Sequence, residues 1–179
     1  MILFSQPVGL SAFTGNPQMN LPAGYELFLS RLPQLEVVFG VGGIQLFPIS
    51  ALEAAQAGYA VGPQGQSLCG EAEGQWKSTW TVIGIETSLG DPIFVDSTSP
   101  ESPVFSAQHG EGAWSPIPIA TSLGTLAKIL AEYGVMAEYR ESLENLEEDN
   151  PKCVAFVERV EKLNDGKIKN EFWPSMLAS

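Results

Sequence analysis

The chain has 179 residues, 9 Lys and Arg against 21 Asp and Glu, one His, two Cys and 44% hydrophobic residues, for a net charge of −12. That length suits one ordinary domain with a core of its own, so neither a disulfide framework nor a structural metal is needed to hold it together. Phosphate affinity comes from clustered Lys and Arg, so the balance argues against DNA, RNA or an anionic membrane, whereas the same field attracts a basic protein and speeds its encounter.

No apolar run approaches the roughly 20 residues of a membrane span. The start, Met1-Ile2-Leu3-Phe4-Ser5-Gln6-Pro7, lacks the basic opening and long apolar centre of a signal peptide. Cys69 and Cys153 form no CxxC and are too few for a disulfide scaffold. The expectation is a cytoplasmic protein without a cofactor.

Residues 1–20, rich in Pro, Gly, Asn and Ser, read as an irregular arm. Asn20 as a cap and Pro22 in the first turn then open a short helix whose apolar face is Leu21, Tyr25, Phe28, Leu29 and Leu32, stopped by Pro33. Leu35–Phe39 reads as a strand, Gly42-Gly43 as a turn and Ile44–Phe47 as the returning strand. Ser50-Ala51-Leu52-Glu53 has the form of a capping box, opening an Ala-rich helix that stops at Gly58. Gly62, Gly65, Gly70 and Gly74 mark a loop.

Three strands follow at Trp80–Ile85, Ile93–Asp96 and Val104–Ala107, joined by turns at Leu89-Gly90-Asp91-Pro92 and Thr98–Pro103, which suggests an antiparallel meander. The last third is helical. Thr121 or Ser122 caps a helix with Leu123, Leu126, Ala127, Leu130 and Tyr133 on one side; beyond Gly134 the period continues through Val135, Tyr139, Leu143 and Leu146, with Glu138, Glu141, Glu144 and Glu148 opposed. Asn150-Pro151 starts another helix with a stripe of Val154, Val157, Val160 and Leu163, ending at Gly166. Phe172, Trp173, Met176 and Leu177 form an apolar tail that is expected to dock. Strands and helices segregated along the chain read as α+β, with a single mostly antiparallel sheet flanked by helices. The divisions are the arm at 1–20, an α+β domain at 21–130 and a helical C-terminal extension at 131–179 packed on the same domain.

The catalytic inventory is thin. With one imidazole, His109, no multi-His metal site can form. No GxSxG elbow and no phosphate-binding loop occur, and Gly40-Val41-Gly42-Gly43 lacks the Lys and helix such a loop needs. The charge pattern is more telling. Residues 1–90, 91–127 and 128–179 each carry a net −4, but no Lys or Arg occurs between Lys77 and Lys128. Asp91, Asp96, Glu101 and Glu111 lie in that base-free stretch, and Trp114 follows the Gly-Glu-Gly turn. An exposed aromatic beside an acidic rim is what a protein-binding hot spot looks like. These five are the candidate partner-binding residues.

The central segment resembles the SUKH superfamily, which is related to the yeast cell-wall assembly regulators and includes many bacterial toxin-immunity proteins. The likeness rests on Trp80-Thr81-Val82-Ile83-Gly84, Gly90–Asp96, Pro103-Val104-Phe105, His109–Trp114 and Ile119–Leu123, in that order and spacing. Leu21-Pro22 with Tyr25 and Phe28-Leu29, and the Gly42-Gly43-Ile44 turn, extend it to about residues 20–130. The resemblance implies an α+β domain with one sheet, and a binding role without catalysis. Bacterial members commonly neutralise toxins, many of them nucleases, by direct contact. The chain departs from the family in lacking a long helix before Leu21 and in carrying helices beyond about residue 131.

Three readings follow. The first is an acidic, non-catalytic immunity-type module for a basic toxin or nuclease domain. The second is a regulatory or scaffold domain of a larger assembly, with the Phe172–Leu177 tail and the Glu138–Glu148 stripe as contacts. The third is a small hydrolase using Asp91, Asp96 and His109, which requires those side chains within reach of one another.

Overall fold

The computed structural model describes residues 24–141 and 150–178. The arm at 1–20, the Asn20 cap, Leu21 and Pro22, and the continuation through Leu143, Glu144, Leu146 and Glu148 lie outside the described residues. The described elements are α1 (Tyr25–Ser30), β1 (Glu36–Phe39), β2 (Gly42–Leu46), α2 (Ile49–Ala55), β3 (Trp80–Glu86), β4 (Pro92–Asp96), β5 (Val104–Ser106), β6 (Ile117–Ala120), α3 (Leu123–Glu141), α4 (Pro151–Leu163) and α5 (Phe172–Leu177).

The six strands form one sheet in sequence order, each antiparallel to its neighbours. This is the expected α+β architecture. Strand side chains alternate between faces, and here both faces are apolar. Ile83, Ile93 and Val95 join the larger core with residues of all five helices, among them Tyr25, Leu52, Leu126, Phe156 and Trp173. Val82 and Phe94, one position out of phase, point the other way into a smaller core with Trp76 and Ala107.

The first hairpin corrects one expectation. Its turn is Gly40-Val41, with Gly40 at φ +63°, and Gly42 and Gly43 are the first residues of β2. Gly43 is small for a different reason: a Cβ there would lie 2.2 Å from the Val37 carbonyl oxygen, so the strands meet too closely for a side chain. The capping box is also absent. α2 begins at Ile49 with Pro48 as its cap residue and no side-chain cap bond, so Ser50 already lies inside the helix.

Strand β6 had no signal in the sequence, because Pro116 and Pro118 break its pattern. It forms at the sheet edge, where a strand tolerates proline. In α4 the Asn150 side chain accepts from the Lys152 amide and Pro151 takes the first turn, as expected. Its buried side chains, however, are Cys153, Phe156 and Val160, while Val154 is exposed. In α3 the Ser122 hydroxyl caps the Thr125 amide and the helix runs through Gly134 unbroken. Met136 and Ala137, not Val135, continue its buried face. The other members of the two predicted stripes that are described, among them Ala127, Tyr139, Val157, Val160 and Leu163, do face the core.

The tail docks. Trp173, Met176 and Leu177 are buried, the Trp173 indole N–H donates to the Ile119 carbonyl at 2.9 Å, and the Tyr133 hydroxyl donates to the Met176 carbonyl at 3.2 Å. Asn164, fully buried, accepts from the Thr121 amide at 2.9 Å and donates to the Val160 carbonyl.

Gln56 closes the join between α2 and the sheet. Its amide nitrogen donates to the carbonyls of Leu52 (2.8 Å) and Val82 (3.0 Å), and its oxygen accepts from the Val82 amide (3.0 Å) beside the register shift between β3 and β4. Gln56→Leu fills similar space but leaves the Val82 amide and carbonyl buried without partners. We expect a loss of about 1–3 kcal/mol in urea unfolding, with Val82 amide exchange accelerated first.

Candidate protein-binding surface

The connection between α2 and β3 folds back over the sheet face that the helices leave uncovered. It has the irregular backbone its glycines foretell, but it carries Tyr59 and Trp76 onto β3 and β4. Trp76 is almost fully buried and sits at the centre of an aromatic cluster, with ring centroids 5.2 Å from Tyr59, 5.4 Å from Trp80, 4.8 Å from Phe94 and 5.1 Å from Trp114. Trp114 also meets Tyr59 at 5.5 Å, and its amide donates to the Gly74 carbonyl at 2.8 Å. The β5–β6 connection is thereby fastened to the α2–β3 connection. Trp80 and Trp114, both half-buried, line a shallow concavity of about 580 Å³ with Glu73, Gln75, Lys77 and Pro116.

The candidate acids do not form one patch. Asp91 precedes β4 and Asp96 ends it. At about 3.4 Å rise per residue they lie about 17 Å apart along the strand. Asp91 is largely buried: one carboxylate oxygen accepts from the His109 amide at 3.0 Å and meets the His109 ring Nδ1 at 2.7 Å. This pairing ties the start of β4 to the loop after β5. The neighbouring Tyr59 hydroxyl is pushed above its ordinary pKa by burial and, secondarily, by the Asp91 charge.

At the other end, Asp96 accepts from the Thr98 amide at 2.9 Å and is half-buried. Exposed Glu101 is bonded by the Ser99 hydroxyl, which, with its own backbone amide, lowers its pKa. The charge of Lys167 acts on Glu101 in the same direction, so the C-terminal part brings one cation to this end. Glu111 is exposed in the same loop as half-exposed Trp114, at the Asp91 end. The structure therefore pairs Asp91 with His109, puts Glu111 on the same β5–β6 connection as Trp114, and sets Asp96 at the other end of β4 from Asp91, with Glu101 in the loop that follows.

The proposed hydrolase set is not assembled as a whole. Asp91 and His109 are hydrogen-bonded, but Asp96 stands at the far end of β4. Among the described residues no group of three or more His, Cys, Asp and Glu is placed to hold a metal ion, and no helix is long and apolar enough to cross a membrane. Of the two contacts named in the scaffold reading, the Phe172–Leu177 tail is core, and the Glu138–Glu148 stripe lies partly outside the described residues.

Sequence reading missed Tyr59, Glu73 and Gln75 at this surface, and Trp76 as its keystone. The available signal was Trp76 itself: a tryptophan in a glycine-rich loop needs somewhere to bury its ring. Asp91→Ala is expected to release the 107–114 loop. Losing both bonds from His109 costs about 1–3 kcal/mol. Amide exchange should rise from His109 to Trp114 while β1 and β2 stay protected.

Comparison of the chain with protein-family models, with curated proteins and with solved structures finds no match.

Proposed function

We propose that the chain is a non-catalytic, acidic protein-binding module of the immunity type, resembling the SUKH superfamily, that neutralises a basic toxin, such as a nuclease, by direct contact in the cytoplasm. The observation that carries this reading is the distribution of charge over the fold. The base-free stretch from Ser78 to Ala127 builds four neighbouring strands, β3 to β6, and all the loops between them. The adjacent base, Lys77, is tied to the carbonyls of Gly70 and Ala72. Glu111 and Glu101 stand exposed on those loops, and Trp114 offers part of an indole anchored from beneath by Trp76. A half-exposed aromatic on a rigid base, on the same β5–β6 connection as exposed Glu111 and within a stretch that carries no Lys or Arg of its own, suits a partner that presents a cationic cleft.

The α+β meander flanked by helices is also the architecture that the resemblance implies. The test is co-purification of the full chain with the toxin-like proteins encoded beside its gene. Capture of a basic domain, and loss of that domain's activity on binding, is the expected result. Failure to bind any of them, with the fold intact, would sink the reading.

A further inference from the structure

The two edges of the sheet are finished differently. At β6 the outer edge is closed: Pro118 has no N–H, its carbonyl accepts from the Asn170 side-chain Nδ2 at 2.6 Å, and the Ile119 carbonyl accepts from the Trp173 indole N–H. At β1 it is open. The Leu46 amide donates to the Leu35 carbonyl, and the register pairs Val37 with Ile44 and Phe39 with Gly42. Hydrogen-bonded pairs alternate along an antiparallel ladder, so the N–H and C=O of Glu36 and Val38 point away from β2. No described residue pairs with them.

Beside this edge a groove of about 520 Å³ separates β1 from α3. Its apolar surface includes Val38 and Val135, which are 56% and 63% exposed, and Gly134, where a Cβ would meet nothing within 4 Å. Among the described residues Glu36, Glu138 and Glu141 line it, and no Lys or Arg does. Arg140, in the last turn of α3, is held over the Phe39 ring. An open edge next to an apolar groove is the usual seat for an added strand, where main-chain bonds give affinity and alternate side chains give specificity.

We propose that the outer edge of β1 takes up an extended segment of a partner protein as a seventh strand. Apolar side chains of that segment seat against Gly134 and Val135 on the α3 side, and its alternate Lys or Arg side chains meet Glu36 on the other face, with Glu138 and Glu141 adding negative charge at the rim of the groove. Charge selects this occupant over two others. A second copy would bring another −12 chain and the same acidic rim. The chain's own first 24 residues contain no Lys or Arg to answer the three glutamates. The proposal rests on the reading of the chain as a binder of basic proteins and adds where and in what conformation a segment is held.

The test uses the full chain and an end-blocked peptide of alternating Lys and Val, followed by amide exchange and fluorescence anisotropy. The expected result is selective protection of the Glu36 and Val38 amides on adding the peptide, with a Glu/Val peptide inactive. Gly134→Leu, which fills the groove and suits a helix better than glycine, should weaken binding at least tenfold, as should Glu138→Lys on the exposed rim. Binding that leaves those two amides unchanged, or that ignores both variants, overturns edge docking while leaving the acidic-loop reading to its own test. Protection already present in the free chain also overturns it: concentration dependence would then identify a second copy on the edge, and independence the chain's own N-terminal residues.

Discussion

Trp173→Ala is expected to lower unfolding stability by about 3–5 kcal/mol, the range for removing a large buried aromatic. The ring is nearly fully buried, with centroids 5.9 Å from Tyr133, 6.0 Å from Phe156 and 5.2 Å from Phe172. One side chain thus joins α3, α4 and α5, and its N–H also holds the β6 edge through Ile119. Trp173→Phe separates the two contributions. It keeps most of the packing but leaves the Ile119 carbonyl without its donor, at a cost of about 1–3 kcal/mol. In guanidinium titrations both variants should lose stability in a single transition, because the residue belongs to the core shared by every helix. A loss below about 1 kcal/mol for the alanine variant, or a separate early transition for the C-terminal helices, would mean that this part is an appendage.

Trp76→Ala is expected to cost a similar 3–5 kcal/mol by the same rule, but with a different spatial signature. Trp76 belongs to the smaller core, where few buried residues share the load: Val82, Phe94 and Ala107. Its removal takes the common neighbour from Tyr59, Trp80 and Trp114 at once. The α2–β3 connection should lose amide protection first, while α3 and β1 keep theirs. Trp114 should become more solvent-exposed in its fluorescence, and partner affinity should fall with it. Trp114→Ala provides the contrast: this half-exposed ring contributes less to stability, so it should weaken binding far more than it lowers the unfolding midpoint. If Trp76→Ala leaves the loop protected, the aromatic cluster is not what fastens it.

These expectations show where the sequence was legible. Segregated strand and helix patterns, the Asn150-Pro151 start and the apolar tail all rest on local rules, and the fold follows them. The misreadings have tertiary causes. Gly42-Gly43 resembles a turn because glycine pairs usually supply positive φ, yet Gly43 is required by a neighbouring carbonyl. Strand β6 was hidden by prolines that only an edge can accept, and being an edge is a property of the whole sheet.

Within the helix faces only Val154 and Val135 were misplaced: they fit the apolar period, but Cys153, Phe156 and Met136 fill the core positions beside them. At the candidate surface, composition located the acid-rich stretch but not its division between the two ends of β4. It also did not show that Asp91 turns inward to His109. That pairing spans 18 residues and has no local signature.

The acidity of the chain therefore resolves into particular groups. Glu111 and Trp114 share the β5–β6 connection, Asp96 and Glu101 lie at and beyond the far end of β4, and Asp91 turns inward to His109. The central claim is that these exposed acids steer a basic partner onto the chain. Its most direct test is the association rate of the full chain with the basic protein encoded beside its gene, followed by stopped-flow fluorescence from low to high salt. The wild-type rate should fall steeply with salt, and the Asp96→Asn, Glu101→Gln, Glu111→Gln triple variant should associate about tenfold more slowly with a shallower slope. A rate and salt slope unchanged by the triple variant would contradict the account and leave the negative charge a matter of solubility alone.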